Sequence, residues 1–248
     1  MPRFFVKQDQ ITDNIISIFG EDAHHIARSL RMAVGETVMI CDMSGNEYTC
    51  VIDGFDDDKE VRASIVETRH SENEPPIFIR LFQALPKGDK LETVIQKAVE
   101  CGVSEIIPFE SDRCVVRIKR EGEEKKLDRR NRIAAEAAKQ CGRSVLPEVK
   151  ASVDFKTMLG LAAQSDVCLF CYEGDGTVPL GRILNGWQGD MPSSVSIVVG
   201  SEGGFSVSEA HTAAECGMIM IGLGKRILRT ETASGFVLAC ITCACELQ

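Results

Sequence analysis

No apolar run in this 248-residue chain approaches the roughly 20 residues that a membrane-spanning helix needs. The opening residues, MPRFFVKQDQ, lack the apolar stretch of a signal peptide, so a soluble cytoplasmic protein is expected. Histidine is scarce, and none flanks the cysteine pairs. Cys168-Leu-Phe-Cys171, and Cys240-Ile-Thr-Cys243 with Cys245 beyond, have metal-knuckle spacing but not the four convergent ligands of a structural zinc site. No metal is therefore expected, and the eleven cysteines read as small buried hydrophobes of a reducing compartment. Net positive charge is also missing. A balance of -9 argues against a protein that binds nucleic acid over its whole surface. There is no internal repeat and no low-complexity tract.

The charge that is present is uneven. Residues 1–72 hold 7 Lys and Arg against 14 Asp and Glu, whereas residues 111–150 hold 12 against 7. The basic segment is the place to look for a phosphate-rich partner. Residues 1–72 read as a small β-rich unit: the apolar Phe4-Phe5-Val6, a short helix over 22–31, and strands over 36–41, 47–55 and 60–69. Ser44-Gly45-Asn46 and Asp56-Asp57-Asp58 make the turns, and the spacing suggests a small barrel. The polar stretch SENEPP, 71–76, ends in two prolines and is the linker candidate.

Beyond it strands and helices alternate. Strands are expected over 77–85, 104–109, 166–171, 195–199 and 218–221, and 113–118 reads as extended too. Helices are expected over 89–101, 124–141 and 154–163. A further helix starts at the capping box Ser206-Val-Ser-Glu209, and a last one carries Ala233, Phe236, Val237, Cys240, Ile241 and Ala244 on one stripe. Such alternation implies an α/β fold with a mostly parallel sheet. On the 124–141 helix Arg129, Arg130, Arg132 and Lys139 lie mainly off the apolar stripe, forming either a solvated face or an RNA face.

Ligands of open α/β sheets sit at the carboxyl ends of strands. Three such ends carry glycine: Cys171-Tyr-Glu-Gly174, Gly200-Ser-Glu-Gly-Gly204 and Gly222-Leu-Gly224. The middle loop precedes a capped helix, whose amides can receive an anion. GSEGGF is not the dinucleotide fingerprint, and GKRILRTET lacks the upstream glycine and adjacent Ser or Thr of a P-loop. On these residues alone, a ligand site and ordinary turns remain open.

VVGSEGGFSVSEA followed by LGKRILRTETA resembles the SPOUT-class methyltransferases that modify N3 of a uridine in 16S ribosomal RNA, the RsmE-type family. LPKGDKLETVIQKAVECGVSEIIPF at 85–109, SDRCVV at 111–116 and QCGRSVLPEV at 140–149 match as well, so the resemblance covers nearly the whole chain. One departure is Ser201, where the family usually has proline.

The resemblance implies a PUA-like β-barrel RNA-binding domain at 1–72 and a SPOUT methyltransferase domain at 73–248 whose end threads a trefoil knot. It implies S-adenosylmethionine as cofactor, 16S rRNA or the small ribosomal subunit as partner, and a homodimer. On it, the cofactor is expected against Gly200, Glu202, Gly203, Gly204, Leu223, Gly224, Ile227 and Leu228, with Cys171, Tyr172 and Glu173 at the third strand end. Uridine N3 must lose its proton before it can attack. Arg229 is the candidate for stabilising the uracil oxygens, and Glu231 or Glu202 the candidate base. For Glu231, stabilisation of a helix N-terminus is the stronger reading. Arg129, Arg130, Arg132, Gln140 and Arg143 are the candidate RNA contacts. A non-catalytic RNA-binding or assembly factor on the same scaffold, or an enzyme acting on transfer RNA, are the alternative readings.

Overall fold

The computed structural model describes residues 1–56, 59–118 and 121–247. Asp57 and Asp58 of the expected second turn, and Lys119 and Arg120 of the basic segment, lie outside them. The chain forms two compact units. One comprises Met1–Glu74 with Ala138–Leu146, and the other Pro75–Ala137 with Pro147–Gln248.

The first unit carries β1 (Arg3–Phe5), β2 (Ile11–Thr12), β3 (Ile15–Phe19), α1 (Gly20–His24), β4 (Thr37–Cys41), β5 (Asn46–Asp56) and β6 (Glu60–His70). They form one sheet in the order β1-β4-β5-β6-β3-β2. β1 runs parallel to β4, and the other pairs are antiparallel. No ladder joins β1 to β2 among the described residues, so hydrogen bonding does not close the expected barrel. Alternating residues fill one core, among them Phe4, Ile16, Ile18, Val38, Ile40, Ile52 and Val61.

The three long strands stand where the alternation predicts them. The helix does not: α1 ends at His24, a π-helical turn follows over His25–Ser29, and Arg31 takes a left-handed φ of 52°. The β2–β3 hairpin was not expected. It turns at Asp13-Asn14, with Asp13 at φ 53°.

The second unit contains β7 (Phe78–Ala84), α2 (Lys90–Glu100), β8 (Glu105–Glu110), α3 (Glu123–Cys141), β9 (Glu148–Val149), β10 (Val153–Asp154) and α4 (Phe155–Ala162). It continues with β11 (Val167–Cys171), β12 (Val178–Pro179), α5 (Leu180–Asn185), β13 (Ser194–Val199), α6 (Val207–Glu215), β14 (Ile219–Gly222) and α7 (Thr230–Glu246). The division between the units falls inside α3, at Ala138.

Its sheet runs β10-β8-β7-β13-β11-β14-β12, with β9 also beside β8. Every pairing is parallel. β13, with Val195 to Val199 all buried, is the kind of continuous apolar strand that a sheet covered on both faces requires. α2 buries Leu91, Val94, Ile95, Ala98 and Val99, the helical spacing read from the sequence. On α7 the buried face includes Ser234 and Leu238, and Phe236 is 42% exposed instead of core.

Residues 113–118 form no strand. They are an irregular loop, pinned by the Asp112 N–H to Glu209 (2.8 Å) and the Arg113 guanidinium to the Gly203 carbonyl (3.1 Å). Among the described residues no helix is long and apolar enough to cross a membrane. Cys41, Cys50 and Cys114 are buried, but Cys141, Cys216 and Cys243 are exposed, so the buried-hydrophobe reading covers only part of the set.

Candidate functional site

β13, β11 and β14 are neighbours, and all three run in one direction. Their carboxyl ends therefore emerge side by side, delivering the three glycine loops to one place. Together the loops wall a cavity of about 710 Å³, within the range of small-molecule sites.

The middle loop is folded tightly. The Gly204 N–H donates to the Ser201 carbonyl at 2.9 Å, closing a turn over Ser201–Gly204. A Cβ on Gly200 would stand 3.1 Å from the Phe205 ring and 3.2 Å from the Gly204 Cα. One on Gly203 would stand 3.0 Å from the Arg113 Cβ. These positions need glycine for close approach. Downstream, the Ser206 hydroxyl accepts the Glu209 N–H at 3.2 Å while the Glu209 carboxylate accepts the Ser206 N–H at 2.9 Å, the capping box that starts α6.

The last loop, 223–229, leads into α7, with Gly224 at φ 109°. Two buried contacts tie it to the middle loop. The Thr230 hydroxyl donates to the Gly200 carbonyl at 2.6 Å, and the fully buried Gln83 amide donates to Thr230 at 2.8 Å. The Gly200 carbonyl is thus occupied. At the third loop the Tyr172 ring lies against Gly174, where a side chain would collide with it. Burial pushes the neighbouring Cys171 thiol up to about 12, leaving a neutral sulfur in the wall.

All the sequence-expected cofactor residues stand in this wall: Tyr172, Glu173, Gly200, Glu202, Gly203, Gly204, Leu223, Gly224, Ile227 and Leu228. Ile227 is 83% exposed, so its side chain forms rim and not floor. Arg229 lines the cavity too, exposed and with no hydrogen bond or ion pair from its guanidinium to a described residue.

Lys90, Arg113, Lys225 and Arg226 join Arg229 there, so five cations face two carboxylates, Glu173 and Glu202. The local sign is opposite to that of the whole chain. Neither periodicity nor capping singles out Lys90, Arg113, Thr177 or Thr230. They are brought to the wall by tertiary structure.

The two candidate bases share one cation. The Lys90 ammonium stands 2.9 Å from Glu202 and 3.7 Å from Glu231. Burial raises the Glu202 carboxyl, but hydrogen bonds from Lys90, its own N–H and the Lys87 N–H outweigh it, and the group settles below its ordinary value. The bond to Glu202 in turn raises Lys90. Glu231 follows the first residue of α7 and does not line the cavity; its buried Oε2 lacks any hydrogen bond.

The expected RNA residues fare unequally. Arg143 is 4% exposed, with its guanidinium 2.6 Å from Glu74, whose carboxylate also accepts the Ser144 and Val145 N–H groups. Arg130 is paired with Glu123 at 2.8 Å and is largely buried. Both guanidinium groups are taken up by carboxylates of this chain. Arg129 is exposed but bridges to Glu92 at 2.8 Å. Arg132 and Gln140 are exposed.

Among the described residues no group of three or more His, Cys, Asp or Glu side chains is placed to hold a metal ion.

Residues 73–242 match the RNA methyltransferase domain family, and residues 19–66 the RNA methyltransferase PUA domain. The chain is 35% identical over 252 residues to a ribosomal RNA small subunit methyltransferase E from Bacillus subtilis, covering 100% of this chain and 98% of that protein. A protein of the same name from Synechocystis is 30% identical over 98% of this chain and 78% of its own length. The crystal structure of the Neisseria gonorrhoeae protein of that name, bound to S-adenosyl methionine, matches with a TM-score of 0.85 at 29% identity, over 98% of this chain and 97% of that one.

Proposed function

The chain belongs to the RNA methyltransferase family, and from that premise we propose that it methylates N3 of a specific uridine in the 16S RNA of the small ribosomal subunit, in the cytoplasm, with S-adenosylmethionine as methyl donor. The observation that carries this reading is the cavity where three parallel strand ends meet, built from glycine backbone and rimmed by cations. The residues present fit that cofactor. Gly224 borders open space, and the buried Ser201 hydroxyl has no hydrogen-bond partner, so the wall has both room and a polar atom for it.

Gly203, Gly204, Leu223, Gly224 and Leu228 hold the cofactor, with Tyr172 and Glu173 closing the third side. When bound, it supplies an electrophilic methyl on a sulfonium. The protein's task is to align the uracil with that methyl and to favour the N3 anion. Arg229 does the second, its guanidinium bonding the uracil oxygens as charge develops on them. Glu202 is a poor base, because its depressed pKa means a weak affinity for a proton and its bond to Lys90 occupies it. Charge stabilisation by Arg229 and the other rim cations therefore carries more of the activation than a carboxylate does. The base must leave its stack to be reached.

The 1–72 domain grips the RNA, and the 73–248 domain carries the cofactor in a trefoil knot formed by the loops after β13 and β14. The chain works as a homodimer. In support, α7 exposes Thr232, Phe236, Ala239 and Cys243, a face uncharged until Glu246 at its end. The test is mass mapping of methylated nucleotides in 16S rRNA with and without this protein. N3-methyluridine at one position should depend on it. An unchanged pattern sinks the reading, and loss of a modified uridine from transfer RNA instead would redirect it.

A further inference from the structure

Among the described residues three buried side-chain oxygens have no hydrogen-bond partner: Gln83 Oε1, Ser201 Oγ and Glu231 Oε2. All three belong to the joint between the middle loop and the start of α7. Glu231 has the Lys90 ammonium at 3.7 Å as compensation, and neither it nor Gln83 lines the cavity. Ser201 alone combines an unpartnered hydroxyl with a place in the cavity wall, at 7% exposure.

The Gly200 carbonyl takes Thr230 and Gln83, the Ser201 carbonyl takes the Gly204 N–H, and Glu202 Oε1 takes Lys87 and Lys90; none of these oxygens accepts the Ser201 hydroxyl. A buried hydroxyl left unpaired disfavours the fold. Alanine at this position would avoid that penalty.

We propose that Ser201 is a ligand-binding residue of the cavity, whose hydroxyl turns about the Cα–Cβ bond to hydrogen-bond a polar atom of the methyl donor. This rests on the methyl-donor reading above and goes beyond it. Proline, the residue that the resemblance leads one to expect at 201, has no hydroxyl and could not make the bond. The contact is thus a feature of this chain and not of the loop pattern.

The test is calorimetric titration of the full chain and its Ser201→Ala variant with S-adenosylhomocysteine, alongside thermal melting of both without ligand. The variant should bind about fivefold more weakly, the ratio that one hydrogen bond of ordinary net strength gives. Without ligand it should melt at the same temperature as the parent, or higher. Equal affinity overturns the proposal, and so does a lower melting temperature of the free variant, which would mean that the hydroxyl serves the fold. If the parent chain itself fails to bind, the methyl-donor reading falls and takes this with it. Repeating the titration with 5′-methylthioadenosine, which lacks the amino-acid part, locates the contact. A loss with both ligands places it on the nucleoside, and a loss with S-adenosylhomocysteine alone places it on the amino-acid part.

Discussion

Arg229 and Glu231 are two residues apart and in opposite situations. Arg229 is the residue before α7. Its carbonyl accepts the Thr232 and Ala233 N–H groups at 2.9 and 2.8 Å, while its guanidinium stays uncommitted among the described residues. An unpaired guanidinium on a cavity rim loses nothing in stability when removed, so its removal isolates the chemistry. Arg229→Ala should lower methyl transfer in single-turnover assays about 100-fold, the scale seen when one preorganised donor to a developing oxyanion is lost. S-adenosylhomocysteine affinity should change by less than about threefold, as for an interaction made mainly in the transition state. Equal loss of both would assign Arg229 to cofactor binding or folding. Glu231, by contrast, sits in the first turn of α7 beside Lys90, where a carboxylate complements the helix N-terminus.

At the scale of elements, the cavity exists because loops are clamped to one another. Glu202 of the middle loop accepts the Lys87 N–H at 3.1 Å and the Lys90 ammonium, tying that loop to the segment between β7 and α2. The clamp titrates at both ends. Glu202 is depressed in the fold, so its contribution is present above the unfolded carboxylate value, about 4.3, and is lost as pH falls through the folded value. Lys90 is raised, so its contribution is present below about 10.4 and is lost as pH rises through the folded value. Melting curves of the parent and of Glu202→Gln should therefore differ by a constant, modest amount between about pH 5 and pH 10. The gap should narrow on either side. A gap that is flat into acid would mean that the carboxylate bears no charge-dependent load.

The elements that build this arrangement were largely legible from residues. β13 is a run of buried apolar positions, α2 repeats at helical spacing, and α6 announces itself by Ser206 and Glu209. What was not legible is held by long-range partners. Residues 113–118 look extended in isolation, yet the loop is set by Glu209 and Gly203, about ninety residues onward. β2 is two residues long, too short for alternation to register. Lys90 carries no local signal, and Arg143 read as a surface contact because Glu74 lies 69 residues before it.

For the whole molecule, Arg143 matters as a fastener of the first unit. Its guanidinium and the following two backbone N–H groups converge on the Glu74 carboxylate, securing the segment Ala138–Leu146 within that unit. Arg143→Ala leaves Glu74 without its cation and should cost about 2 to 3 kcal/mol, read as a lower denaturation midpoint. RNA affinity measured on the folded fraction should be unaffected. A variant that melts normally but binds RNA weakly would return Arg143 to the RNA-contacting set.

This discontinuous unit also dictates an order of events during translation. Residues 1–74 hold the whole apolar core of the unit and emerge first, before the segment Ala138–Leu146 that packs with them. At about 5 to 20 residues per second the nascent chain waits several seconds for that piece. In that interval the Glu74 carboxylate has no guanidinium. The opening third of the protein leaves the ribosome without that segment, and a truncation just after the proline pair would remove the segment for good.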